Sequence, residues 1–277
     1  MTTPKFVVMY SGGAGSWAAA RRIVDRHGAE NVVLLFADTN MEDKDLYRFV
    51  AESVAKFGCE LVRLADGRDV WQVFSDERFI GNSLVDPCSK ILKRQLMDKW
   101  RERHCDRLAT TLVFGLDWSE QGRIEGSHGV GGLRRRMEAT GWKSIFPLND
   151  RPYLTKADIL DLMRADGLDP PRLYGMGWPH NNCGGFCVKA GLGQFRHLLR
   201  VMPERYRYHE EREAETMAII GPTAIPFLRL RRGGTNTYLT MKEFRVLCES
   251  EPSLGLDHGW GCGGGCAIDD HDQEAKA

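Results

Sequence analysis

Residues 5–16 read KFVVMYSGGAGS, and how this stretch is read decides the fold. Phe6, Val7, Val8, Met9 and Tyr10 form an unbroken apolar run with two β-branched members, which fits a strand covered on both faces. Ser11, Gly12, Gly13, Ala14, Gly15 and Ser16 follow as a loop of small residues. From Trp17 to Ile23 the chain is rich in alanine and arginine, good helix formers. Strand, glycine loop and helix thus come in the order that makes an anion site, because free N–H groups and the positive end of the dipole gather at a helix N-terminus. Glycines let the backbone approach phosphate oxygens without a Cβ in the way. The expected ligand is a nucleotide phosphate. An ordinary βα turn is the plainer reading of the same glycines.

Working outward, Asn31–Asp38 (NVVLLFAD) is a second buried-strand run, and Cys59–Leu64 a third. With a helix from Glu42 to Lys56 between them they continue a βαβ pattern, in which all strand ends open on one crevice. Asp38 falls at such an end. There it could meet ribose hydroxyls or a cation, or it could simply cap the next helix. In DPCSKILKRQLMDKW (residues 86–100), Ile91, Leu92, Leu96 and Trp100 recur at helical spacing after Pro87, so Cys88 sits at a helix start, where a thiolate is stabilised. Thr110–Leu116 gives a fourth strand and Ser144–Pro147 a fifth. Arg123, soon after the fourth, could hold a phosphate bidentately or pair with Glu120 on the surface. The fold class expected is α/β, a doubly wound, mostly parallel sheet. Residues 1–175 form its nucleotide-binding domain, and residues 176–277 a helical, Cys-rich C-terminal region.

Composition sets limits on function. The chain has 277 residues, 38 of them basic and 38 acidic, so no global charge calls for a nucleic acid or a membrane. No run approaches a membrane span, no signal-peptide pattern opens the chain, and the expected location is the cytoplasm. There are 8 cysteines. In a reducing compartment these are thiols, ligands or catalysts rather than disulfides. Four of them form two Cys-x-x-x-Cys pairs among glycines, Cys183 with Cys187 and Cys262 with Cys266. Such thiolates suit Zn²⁺ or an iron–sulfur cluster, and the spacing tilts toward the cluster.

The loop resembles the SGGxxS pyrophosphate loop (PP-loop) of the adenine nucleotide α-hydrolase-like superfamily. Later segments resemble its phosphoadenosine phosphosulfate reductase-like branch. Those segments are the Asp38-Thr39 pair, Pro87-Cys88 followed by Lys93, and Gly115 with Glu120 and Arg123 as G-x-x-x-x-E-x-x-R. The resemblance covers roughly residues 1–194. It implies ATP with Mg²⁺ at Ser11, Gly12, Gly13, Gly15, Ser16, Asp38 and Glu120. It further implies chemistry at Cys88, Lys93 and Arg123, and a four-iron four-sulfur cluster of the kind sulfurtransferases of the superfamily hold. Gly15 stands where relatives carry Asp, so the role of that Asp is not carried over; an Asp restored at position 15 is expected to fold.

Three activities follow from this resemblance. The first is an ATP-dependent adenylating sulfurtransferase that works with a sulfur donor protein or a small-molecule thiol, its acceptor a nucleic acid or a metabolite. The second is a phosphoadenylyl-sulfate or adenylyl-sulfate reductase, against which the CGGGC ending speaks. The third is a non-catalytic nucleotide-binding module with a structural metal.

Overall fold

The structure is a computed structural model that describes residues 4–251, apart from 83–84, 128–129 and 233. Five parallel strands form its central sheet: β1 (Phe6–Met9), β2 (Val32–Asp38), β3 (Glu60–Ala65), β4 (Thr111–Val113) and β5 (Lys143–Ile145). Their order is 3-2-1-4-5. The chain runs outward from β1 in one direction and then returns to the other side, so the order reverses between β1 and β4. In an open α/β sheet, ligands bind in the crevice outside such a reversal. The fold is the doubly wound α/β architecture read from the sequence.

The apolar run of β1 has a physical reason. Val8 packs with Leu34 and Phe36 against Trp17, Ala18 and Ile23 of α1 (Ala14–His27) and against α2 (Lys44–Phe57) on one face. Val7 packs with Leu35, Leu112 and Phe114 against Met97 of α4 (Leu96–His104) on the other. Every residue of β2 is buried. Neither strand can alternate polar and apolar, because neither has a wet face.

A second apolar cluster lies beyond the sheet. It joins α3 (Val70–Asp76) to three helices of the C-terminal half, α5 (Leu192–Val201), α6 (Pro203–Ile220) and α7 (Met241–Ser250). Trp71 is fully buried there, its indole N–H donating to His209 Nδ1 at 3.1 Å. The cluster takes residues from both sides of position 175, Met41 and Leu92 among them, so packing is continuous across that point. A hairpin of Leu228–Arg232 and Thr235–Leu239 adds a small antiparallel sheet. No helix among the described residues is long and apolar enough to cross a membrane.

Two local readings need correction. The helix after β2 begins at Lys44 and is capped by Asp43, whose side chain accepts from Asp45 N, so Asp38 is not its cap. And the Pro87 helix is not regular: Pro87–Ser89 passes through a π-helical stretch, Lys90–Gln95, before α4 begins. Such wide turns concentrate at functional sites.

Candidate nucleotide-binding site

The loop is held open by its own serines. Ser16 Oγ donates to Gly13 O at 3.0 Å and accepts from Ser11 N at 3.2 Å. Gly12 carries the positive φ, +69°, and a Cβ there would stand 2.4 Å from Leu46 Cδ1, so both backbone and space require glycine. Gly13 has an ordinary φ of −87° and caps α1 without any side-chain hydrogen bond. No acidic residue occupies the first turn of α1, and the helix keeps its full positive end toward the crevice. The Tyr174 hydroxyl accepts from Ala14 N at 2.8 Å, resting on a backbone donor of the kind a phosphate oxygen would use. Burial pushes the phenol's pKa up to about 12, so it stays protonated at neutral pH.

This loop lines a cavity of about 510 Å³ at the carboxyl ends of β1 and β4. Volumes of this order suit a nucleotide-sized ligand. Ser11, Gly13, Gly15 and Ser16 share it with Lys93, Glu120 and Arg123, which bring two further cations and an acid to the place the sequence expected. Lys93 is 8% exposed, and its Nζ stands 3.8 Å from Glu42 Oε1. Glu42 also accepts from Thr39 Oγ1 at 3.0 Å and from Cys183 N at 2.7 Å. Burial raises the Glu42 carboxyl, and the Lys93 charge opposes that rise. Arg123 donates to Glu120, and both side chains line the cavity.

Other expected residues lie elsewhere. Asp38 is fully buried, accepting from Tyr47 OH at 2.8 Å, Asn40 N at 2.9 Å and Arg63 Nε at 2.9 Å, and it is not part of the cavity wall. Gly12 supports the loop from behind rather than lining it. Cys88, Cys183 and Cys187 gather at a second, far smaller cavity of about 20 Å³, with Asp86, Lys189 and Lys93. Lys93 is therefore common to both cavities. Cys183 itself has a φ of +49°. Among the described residues, no group of three His, Cys, Asp or Glu side chains could hold a metal ion, so Cys88, Cys183 and Cys187 do not make a metal site by themselves. Cys262 and Cys266 lie outside the described residues.

Sequence reasoning missed several lining residues. Lys156, just after the helix cap Thr155, reaches the cavity and donates to Pro179 O. Its signal was positional only, a cation at the start of a helix that faces the crevice. Tyr174, in a segment that also resembles the reductase-like branch, and His180, Asn181 and Asn182, which lead into the Cys183–Cys187 pair, were given no role in the cavity from the sequence.

No family model matches this sequence, and no curated protein matches it. Among solved structures the chain is similar to the phosphoadenylyl-sulfate (PAPS) reductase of Candida auris, in its phosphate complex. That likeness covers 64% of this chain and 80% of the other, at 16% identity and a TM-score of 0.43. A second likeness is to a predicted subunit of tRNA methyltransferase from Methanocaldococcus jannaschii. It covers 60% of this chain and 90% of the other, at 15% identity and a TM-score of 0.32. In fold the chain is a doubly wound α/β protein with a five-stranded parallel sheet and a glycine loop between β1 and α1, the architecture expected in the sequence analysis.

Proposed function

We propose that this protein is an ATP-dependent adenylating enzyme of the sulfurtransferase kind. The observation that carries the reading is the convergence of the Ser11–Ser16 loop, Lys93 and Arg123 on one cavity at the sheet's switch point. The polyphosphate of ATP rests on the loop amides and the α1 dipole. An acceptor oxygen attacks the α-phosphorus, the bond to pyrophosphate breaks, and pyrophosphate leaves. Lys93 and Arg123 stabilise the charge that builds on the phosphate oxygens, the dominant catalytic contribution in phosphoryl and nucleotidyl transfer. A sulfur nucleophile from a donor protein or a small-molecule thiol then displaces AMP from the adenylated acceptor. A Mg²⁺ would come in with ATP, ligated chiefly by its phosphates, and Asp117 or Glu120 on the cavity wall could add a carboxylate to it.

The second cavity supports the sulfur half of the reading, since Cys88, Cys183 and Cys187 stand one lysine away from the nucleotide site. The test is pyrophosphate release from ATP with Mg²⁺, measured with tRNA, DNA and small-metabolite acceptors in turn. Release that depends on one acceptor class supports the enzyme. ATP binding with no release under any acceptor would reduce the protein to a nucleotide-binding module.

A further inference from the structure

Asn181 is 2% exposed and lies on the wall of the nucleotide cavity, and neither its amide oxygen nor its amide nitrogen has a hydrogen-bond partner. A buried donor or acceptor left unmade carries the full cost of its lost hydration. An amide with both ends buried and unmet by the protein is a cost that a bound partner would relieve. Its neighbours are fixed. Cys183 N is held by Glu42, and Lys156 holds Pro179 O, so the short segment between them is pinned on both sides of Asn181.

We infer that Asn181 recognises the nucleobase of the bound nucleotide, turning its amide into the cavity to pair with a donor and an acceptor that lie side by side. An amide offers one N–H group and one carbonyl next to each other. A phosphate or sulfate would satisfy only the N–H end and leave the oxygen unmet, and a cation would do the reverse. A base edge meets both, as when Asn pairs bidentately with N6 and N7 of adenine. The glycine loop proposed for the phosphates lines the same cavity. This inference rests on the nucleotide reading above and adds the residue that selects the base.

The experiment compares ATP, purine riboside triphosphate (which lacks the 6-amino group) and inorganic pyrophosphate by calorimetry on wild type and Asn181→Leu, with thermal melts of both proteins without ligand. Wild type should bind ATP ~10–100-fold more tightly than the purine riboside analogue, the span of a bidentate base contact. Asn181→Leu should lose that preference and keep its pyrophosphate affinity. Its ligand-free melting temperature should stay the same or rise, because replacing an unmet amide by an apolar group of similar size removes a cost. An undiminished preference for ATP in Asn181→Leu overturns the assignment, as does equal loss of ATP and pyrophosphate binding together with a lowered melting temperature, which marks a structural residue. Wild type that binds pyrophosphate no less tightly than ATP sinks the base contact while leaving the phosphate loop standing. Wild type that binds neither sinks both.

Discussion

Gly15 and Gly115 meet backbone to backbone where α1 begins and β4 ends. A Cβ on Gly15 would lie 2.4 Å from Gly115 O, and one on Gly115 would lie 2.5 Å from Gly15 C and Ser16 N. Neither position has room for any side chain. The absence of Asp at position 15 therefore has a packing cause in this chain, and Gly15→Asp is expected to fold with reduced stability. Gly15→Ala should cost about 1–3 kcal/mol from overpacking, and Gly15→Asp at least as much, because backbone has to move in either case. Urea titration of both variants checks this; an unchanged midpoint for Gly15→Ala would contradict the contact.

Gly13 differs from its neighbours. Its φ is unstrained, and a Cβ there would make only ordinary contacts, at 3.4 Å from Ser11 Oγ and 3.5 Å from Tyr174 Oη. Gly13→Val should fold close to normally yet lose ATP binding by tenfold or more, since the branched side chain fills the space before the loop amides. Gly12→Val should instead fail to fold well, because Gly12 needs its +69° φ and abuts Leu46. Melting curves alongside ATP titrations separate the two.

Lys93 and Glu42 form a buried pair, and removing one partner strands the other. Lys93→Met should lower both stability and pyrophosphate release, the latter by roughly 10²–10³-fold if Lys93 faces the transition state. Adding Glu42→Gln should recover much of the stability and none of the turnover. Recovery of turnover in the double variant would assign Lys93 a purely structural role.

Glu213 gives a pH dependence. It is 1% exposed in the C-terminal layer, where its Oε2 accepts from Met241 N at 2.6 Å and so caps α7. Burial, reinforced by Glu210 and Glu243, raises its pKa from 4.5 to about 8. The folded value lies above the unfolded one, so between these pH values the native state holds a proton that the unfolded chain lacks. Stability from this group is therefore complete at low pH and is lost as the pH rises toward 8. Glu213→Gln, which keeps the carbonyl acceptor, should flatten the fall in melting temperature between pH 5 and 8. An equal slope in the variant would discard the assignment.

The four-thiolate centre suggested by the two cysteine pairs makes its own prediction. If Cys183 and Cys187 join Cys262 and Cys266 around iron or zinc, anaerobically purified protein should carry metal, and Cys183→Ser should lose it. Brown colour with visible absorption marks the cluster, and one colourless zinc per chain marks the alternative. Metal content unchanged in Cys183→Ser would remove that residue from the site.

Much of this was legible in the residue order. The inner strands β1, β2 and β4 were marked by apolar runs, because they are covered on both faces, whereas the edge strands β3 and β5 carry polar residues and are only partly buried. The loop was legible for a related reason, as its function depends on backbone and on the absence of side chains. Lys93 and Arg123 could be tied to the cavity only through family-like spacing. Asp38 shows where local reading fails: its partners Arg63 and Tyr47 come from β3 and α2, and their convergence on one carboxylate is a product of the sheet's geometry. Asn181 and Lys156 were invisible for the same reason, since the cysteine pair beside Asn181 points to thiol chemistry and nothing in the local order told that the segment would reach the crevice.

The contact between Tyr174 and Ala14 has one more consequence. Tyr174 Oη already takes one backbone donor of the loop, so an anion that used Ala14 N would have to displace that hydroxyl. Every affinity measured for an anion here is then a difference between two occupants. A ligand that presents a neutral hydroxyl at that spot imitates a guest the loop already accepts, so an uncharged inhibitor of this site is chemically within reach.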